Sequence, residues 1–328
     1  MEGLRLVDYI RGLHEIDDGL YAYLQPDGGW GMSNAGLVVS DDGALLVDTL
    51  YDLRLTREML DAMAGVLPAP GIQTLVNTHA NGDHTYGNSL VRGARIVASR
   101  RTAEEMPELP PAAMAALVDQ APTMGRLGEF VQEIFGGFEF GGIELKLPDE
   151  TFQGELKINV GGRPAQLIEV GPAHTRGDTL VHLPEQRVLF AGDILFNGRH
   201  PIVWAGPASN WIAACDRILA LDVDLIVPGH GPLADKEAVG ELRAYFVYLY
   251  EQARERHAAG MTPLEAARDL SLDRWAQWPE GERLVVNLAA IFGELDGQEG
   301  GPDPVAALTD MAELAAERRR AERRRPPR

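Results

Sequence analysis

Two histidines and an acid crowd into the run Asn77-Thr78-His79-Ala80-Asn81-Gly82-Asp83-His84-Thr85-Tyr86-Gly87-Asn88. Imidazole and carboxylate are the ligands that zinc, iron and manganese accept where no sulfur is offered. Gly82 and Gly87 allow a tight loop, so alternate side chains can converge on one point. Three further fragments repeat the arrangement of apolar run, turn and potential ligand. They are Val170-Gly171-Pro172-Ala173-His174-Thr175-Arg176-Gly177-Asp178, then Val188-Leu189-Phe190-Ala191-Gly192-Asp193, then Ile226-Val227-Pro228-Gly229-His230-Gly231-Pro232. Any one of them alone reads better as a polar residue in a turn. Four in succession predict a metal centre.

The elements that must position these residues follow from periodicity. Residues 36–39 and 44–48 are short apolar runs joined by Ser40-Asp41-Asp42-Gly43, a hairpin signal. Residues 56–67 carry Met59, Leu60, Met63, Val66 and Leu67 at helical spacing. Strands are expected at 72–78, delivering His79, and at 94–99. Residues 100–137 read as a helical, proline-broken insertion or lid. Strands return at 156–160, 165–170, 179–183, 187–191 and 225–227. Strand pairs interleaved with helices, given twice, predict a layered α/β fold with two sheets.

Beyond Pro232 the pattern turns helical. Val239, Leu242, Phe246, Leu249 and Ala253 form one apolar stripe, stopped by Gly260. Thr262-Pro263-Leu264-Glu265 opens the next helix with a capping box. A third helix is expected over 279–295. The chain thus divides into 1–234, a helical extension at 235–299, and a linker with a basic tail at 300–328. The apolar stripe must be covered, either by the α/β body or by a second copy in a homodimer.

The ligand pattern resembles that of the metallo-β-lactamase-like superfamily, whose hallmark is His-x-His-x-Asp-His followed by separate His, Asp and His ligands. The resemblance spans about residues 15–235 and implies a four-layer αββα sandwich, with residues 1–234 as the catalytic domain. It implies that His79 and His174 hold one metal, that Asp83, His84 and His230 hold a second, and that Asp193 bridges them. Zinc is the expected ion, as one or two per chain, with iron or manganese as alternatives. The implied activity is hydrolysis of an ester, thioester, lactone or amide-type bond by metal-bound hydroxide, with Asp83 orienting it or taking its proton. One position departs from the pattern: Asn81 stands where the second histidine belongs. An amide oxygen is the weaker donor, so the first metal should bind less tightly. Alternatively, Asn81 touches substrate or a metal-bound water.

Other residues carry lesser expectations. Asp178 could accept a hydrogen bond from a ligand imidazole. Arg199 could hold a substrate carboxylate, His200 could move protons, and Trp204 could border the cleft. Trp30, Ser33 and Asn34 fall in a plausible rim loop. His14, His182 and His257 read as structural, and neither Ser33 nor Cys215 has the setting of a nucleophile.

Charge narrows the substrate. Residues 317–328 hold seven Arg and two Glu, so of the net −19 the remaining chain carries −24. Such a body disfavours nucleic acid and anionic membranes and leaves a small molecule as the expected partner. With one cysteine, no signal-peptide pattern and no span-length apolar run, the expected location is cytoplasmic. Two other activities fit the same site. One is a polyketide-type cyclase or thioesterase, and the other an iron-dependent redox enzyme of the persulfide dioxygenase kind.

Overall fold

The computed structural model describes residues 7–26 and 29–323. An antiparallel meander comes first, made of β1 (Gly12–Asp17), β2 (Leu20–Leu24), β3 (Ala35–Ser40) and β4 (Gly43–Val47). Helix α1 (Leu53–Met63) crosses over to β5 (Ile72–Val76), parallel to β4. A short α2 (Gly82–Thr85) leads to β6 (Arg95–Ser99), parallel to β5. Then come α3 (Arg100–Glu105), α4 (Pro111–Gln120) and α5 (Gly125–Phe135), before β7 (Glu150–Phe152) completes the seven-stranded sheet.

The second sheet is built from β8 (Glu155–Val160), β9 (Arg163–Glu169), β10 (Thr179–Leu183) and β11 (Val188–Phe196), each antiparallel to its neighbour. Helix α6 (Ala208–Ala220) carries the chain to β12 (Leu225–His230), parallel to β11. Four more helices follow: α7 (Lys236–Ala258), α8 (Pro263–Asp269), α9 (Leu284–Leu295) and α10 (Pro304–Arg323). Among the described residues, no helix is long and apolar enough to cross a membrane.

Side-chain alternation explains the layering. Every residue of β4 is buried, because both faces of its sheet are covered. Leu45 and Val47 meet Leu167, Val181 and Phe190 of the other sheet, while Ala44 and Leu46 pack on Leu55, Met59 and Met63 of α1. On β11, Val188 and Phe190 face inward, and Leu189 and Ala191 join Trp211 and Ile218 of α6. The result is the αββα sandwich that the resemblance implied. The sheets approach so closely at Gly36 that any Cβ there would strike the Phe190 ring.

The differences from the sequence reading are local. Helix α1 starts at Leu53, ahead of residue 56, because the Asp52 carboxylate accepts the Leu55 N–H at 2.7 Å. The third extension helix begins at Leu284, since Glu280 takes a left-handed backbone (φ 58°) that ends any earlier helix. Residues 304–323, read as linker and tail, form α10. Ala307, Met311, Leu314 and Ala315 are buried, and Arg268–Glu317 and Arg126–Glu313 ion pairs hold the helix down. The last residues of the tail, 324–328, lie outside the described residues.

The extension packs in cis. Val239, Leu242, Phe246, Leu249 and Ala253 are all buried, and the Phe246 ring sits 4.7 Å from that of Trp211 on α6.

Candidate metal centre

Strands β9, β11 and β12 run the same way, so their C-terminal ends share one edge of the second sheet. His174 follows β9, Asp193 lies late in β11, and His230 ends β12. Across the sandwich, the end of β5 delivers His79, and Asn81 caps α2, whose first turn carries Asp83 and His84. Gly229 is needed here: a Cβ on it would collide with Asp193 Oδ1.

Asp193 stands among four imidazoles. Its Oδ1 is 3.1 Å from His84 Nε2, and its Oδ2 is 3.3 Å from both His174 Nε2 and His230 Nε2 and 3.8 Å from His79 Nε2. Asp83 Oδ2 lies 3.3 Å from His230 Nε2 and 3.8 Å from His84 Nε2. Three groups have their ligand atoms within 4.8 Å of one another: Asp48–His79–His84, in which Asp48 meets the Nδ1 side of His84, and the pair His79–His174–Asp193 and Asp83–His84–His230. That pair matches the division that the resemblance implied.

Each histidine is oriented through its other nitrogen. His174 Nδ1 donates to the Ile202 carbonyl at 2.7 Å, His230 Nδ1 to the Met32 carbonyl at 3.2 Å, and His84 Nδ1 to Asp48 Oδ2 at 2.9 Å. His79 Nδ1 donates to Thr78 Oγ1 at 2.9 Å, and that hydroxyl passes its proton to Asp48 Oδ2 at 2.6 Å. All four Nε2 atoms thereby face one another, and each can offer a lone pair to a metal that displaces any proton it carries. His79 Nε2, His84 Nε2 and Asp193 Oδ1 are buried without a hydrogen-bond partner, a costly arrangement that a bound cation relieves. The nitrogen and oxygen donor set fits a divalent ion of the zinc, iron or manganese kind.

Electrostatics agree. Burial works to raise the Asp83 carboxyl, but His84 and His230 overcome it and hold the group down at about 2. Burial also opposes Asp193, yet the four histidines keep it well below the usual carboxylate range. Burial works to lower His84 and His230, but the carboxylates beside them raise both. Burial pushes His79 and His174 below the usual value.

Asn81 occupies the missing imidazole's place. Its Nδ2 donates to His174 Nε2 at 3.2 Å, and half a turn of the amide would present Oδ1 instead.

The lesser expectations fare differently. Asp178 does not reach an imidazole; its carboxylate accepts the Thr175 N–H and hydroxyl, shaping the turn after His174. Arg199 is buried, 3.6 Å from Glu280. His200 is buried against the Tyr245 hydroxyl at 3.2 Å, and burial lowers it to about 3, so it is no proton shuttle near neutrality. Trp204 borders the centre through its backbone, whose N–H donates to the His174 carbonyl at 3.0 Å. Ser33 donates to the Asp83 carbonyl at 2.5 Å, and Asn34 ties the loop to Pro228 and Gly231.

Sequence reasoning missed Asp48. Its only signal was an acid closing the apolar run Leu45-Leu46-Val47 beside the strand that delivers His79.

Comparison with known proteins bears on the same residues. The 2,4-dinitroanisole O-demethylase subunit alpha of Nocardioides sp. (strain JS1661) is 28% identical over 219 residues, 66% of this chain and 54% of that protein. The linear primary-alkylsulfatase of Pseudomonas sp. (strain ATCC 19151) is 23% identical over 270 residues, 72% of this chain and 49% of its own length. The chain thus spans about half the length of these relatives. The sec-alkylsulfatase Pisa1 from Pseudomonas sp. has the same fold, with a TM-score of 0.68 at 20% identity over 87% of this chain and 50% of that one. The family model described as "Metallo-beta-lactamase superfamily" matches residues 28–230, a stretch that ends on the last ligand. Fold, ligand order and this match agree: the chain belongs to the metallo-beta-lactamase superfamily.

Proposed function

We propose that the chain is a metal-dependent hydrolase acting on an ester, thioester, lactone or amide-type bond in a small apolar or aromatic molecule. The observation that carries this reading is the set of buried, unpartnered ligand atoms converging between the two sheet edges. His79, His174 and Asp193 would hold one divalent ion and Asp83, His84 and His230 a second, zinc being the expected metal. A bound ion supplies Lewis-acid polarisation and an activated water. The chain's own residues do the rest. Asp83, 9% exposed, is the ligand most open to solvent and stays ionised, so it can accept a hydrogen bond and orient an attacking group. The depth of the remaining ligands favours a small molecule over a polymer.

A cleft of about 630 Å³ lies beside the centre, and its walls mix aromatic Trp30, Phe130, Phe138 and Trp278 with charged Glu133, Glu280, Glu282 and Arg319, so it suits an aromatic or apolar group that carries a polar end. It contains none of the ligands and adjoins them through Met32, whose carbonyl holds His230. Helix α10 forms part of its wall through Ala315 and Arg318.

The test is purification without added metal, elemental analysis, and turnover of aryl esters, thioesters and lactones before and after chelation. The alkylsulfatase and O-demethylase relatives add alkyl sulfates and a nitroanisole to the panel. Hydrolysis abolished by chelation and restored by zinc, iron or manganese is expected. Less than roughly a tenth of an equivalent of metal after reconstitution would refute the reading, since a functional site should fill near stoichiometrically. Substrate-dependent oxygen consumption would favour the redox alternative.

A further inference from the structure

His230 is the ligand least held by its own hydrogen bond, at 3.2 Å against 2.7 to 2.9 Å for the other three Nδ1 atoms. Its ring is fixed from the face instead. Phe196 stacks on it at 5.0 Å with planes only 7° apart. Behind Phe196 lies the guanidinium of Arg283, 5.5 Å from that ring, and 4.3 Å beyond it on another side is the Trp30 indole. Arg283 is 2% exposed, its Nη1 donates to the His200 carbonyl at 2.9 Å, and its Nε has no hydrogen-bond partner. Glu282 accepts the Trp30 indole N–H at 3.0 Å and Glu280 lies 3.6 Å from Arg199, and both carboxylates also favour the Arg283 charge through space rather than by a direct hydrogen bond. A buried guanidinium with so few polar contacts is held by its aromatic neighbours.

We infer that Arg283 is a positioning residue for the metal centre, clamping His230 through both of its supports. One support is the Phe196 ring. The other is the segment Trp30-Gly31-Met32, whose Met32 carbonyl accepts the His230 Nδ1 proton. Arg283 opens α9 and lies outside residues 28–230, so the helical extension helps to build the metal site rather than merely covering the fold. The inference rests on the metal reading above.

The sign of the effect separates positioning from charge. Removing a cation near the site would by itself strengthen binding of a metal ion, whereas loosening a ligand weakens it. The test measures zinc affinity by chelator competition for Arg283→Met in two backgrounds. His174→Ala leaves the Asp83–His84–His230 group, and His230→Ala leaves the His79–His174 group. Arg283→Met should weaken zinc about ten- to a hundredfold in the first background and leave the second unchanged. If Arg283→Met does not fold, Phe196→Leu, which keeps Arg283, should weaken zinc more in the first background than in the second, because His174 meets Phe196 only edge-on and keeps its 2.7 Å bond to the Ile202 carbonyl. Cobalt-loaded Arg283→Met should show an altered visible spectrum. Unchanged or tighter binding, or equal loss in both backgrounds, overturns the clamp. Failure of the parent chain to bind zinc, iron or manganese overturns the hydrolase reading itself.

Discussion

Asp48→Asn changes one carboxylate that bonds to the Nδ1 side of His84 and, through Thr78, of His79, and so orients two candidate ligands. Asp48 sits at φ 64°, a left-handed backbone that Asn tolerates better than Ala, so the substitution adds little strain. The Asn Oδ1 can still accept the Thr78 N–H, now made at 2.7 Å. Its amide NH2 then faces His84 Nδ1 and Thr78 Oγ1, which both donate to Asp48 Oδ2 today at 2.9 and 2.6 Å. Donor would meet donor. The His84 imidazole resolves the conflict by moving its proton to Nε2, the atom that should bind metal, and Thr78 turns away from His79. Loss of such a supporting contact costs about ten- to a hundredfold in metal affinity, about 1.4 to 2.8 kcal/mol. Chelator competition with zinc, alongside thermal unfolding of the metal-free protein, measures both effects. Unchanged zinc affinity in a folded Asp48→Asn protein would refute the argument that Asp48 sets the tautomers.

Asn81→His should tighten the ion held by His79 and His174, because imidazole replaces an amide beside His174 Nε2; titration calorimetry on both proteins checks it. Metal affinity should fall as pH is lowered. The carboxylates of Asp193 and Asp83 raise His84 and His230 above the usual imidazole range against burial, so protons compete with a metal there more strongly than at an ordinary histidine. Proton release on adding zinc at pH 7, followed by potentiometry, is the readout, and none should be seen in His84→Ala/His230→Ala. Truncation after residue 234 should leave an insoluble or unfolded product. It strips α7 from Trp211 and Ile218, and uncovering buried side chains at about 1.5–3 kcal/mol each consumes much of a typical 5–15 kcal/mol stability. A soluble truncated chain that retains metal would contradict that.

The candidate ligands were legible in the sequence because His79, His174, Asp193 and His230 lie in or just behind apolar runs, which strand periodicity puts at a sheet edge, and Asp83 and His84 follow His79 in a glycine-bounded turn. His79, Asp83, His84, His174, Asp193 and His230 follow from local pattern, as does the two-sheet layering. What the pattern could not give is anything made between distant segments. Asp48 is an ordinary strand-end acid until β4 lies beside β5, and the Met32 and Ile202 carbonyls have no sequence signature. Arg199 and His200 had the right chemistry and the right neighbourhood, yet Glu280 and Tyr245, brought in by the extension, engage them. Helix α10 was hidden by Gly300-Gly301-Pro302 before it and by a thin stripe of Ala307, Met311 and Leu314 among charges. Local sequence sets which residues can donate to a metal and which face of a strand they leave. Only the packing of the two sheets and the extension decides which nitrogen of each imidazole is free, because that depends on partners that meet through space.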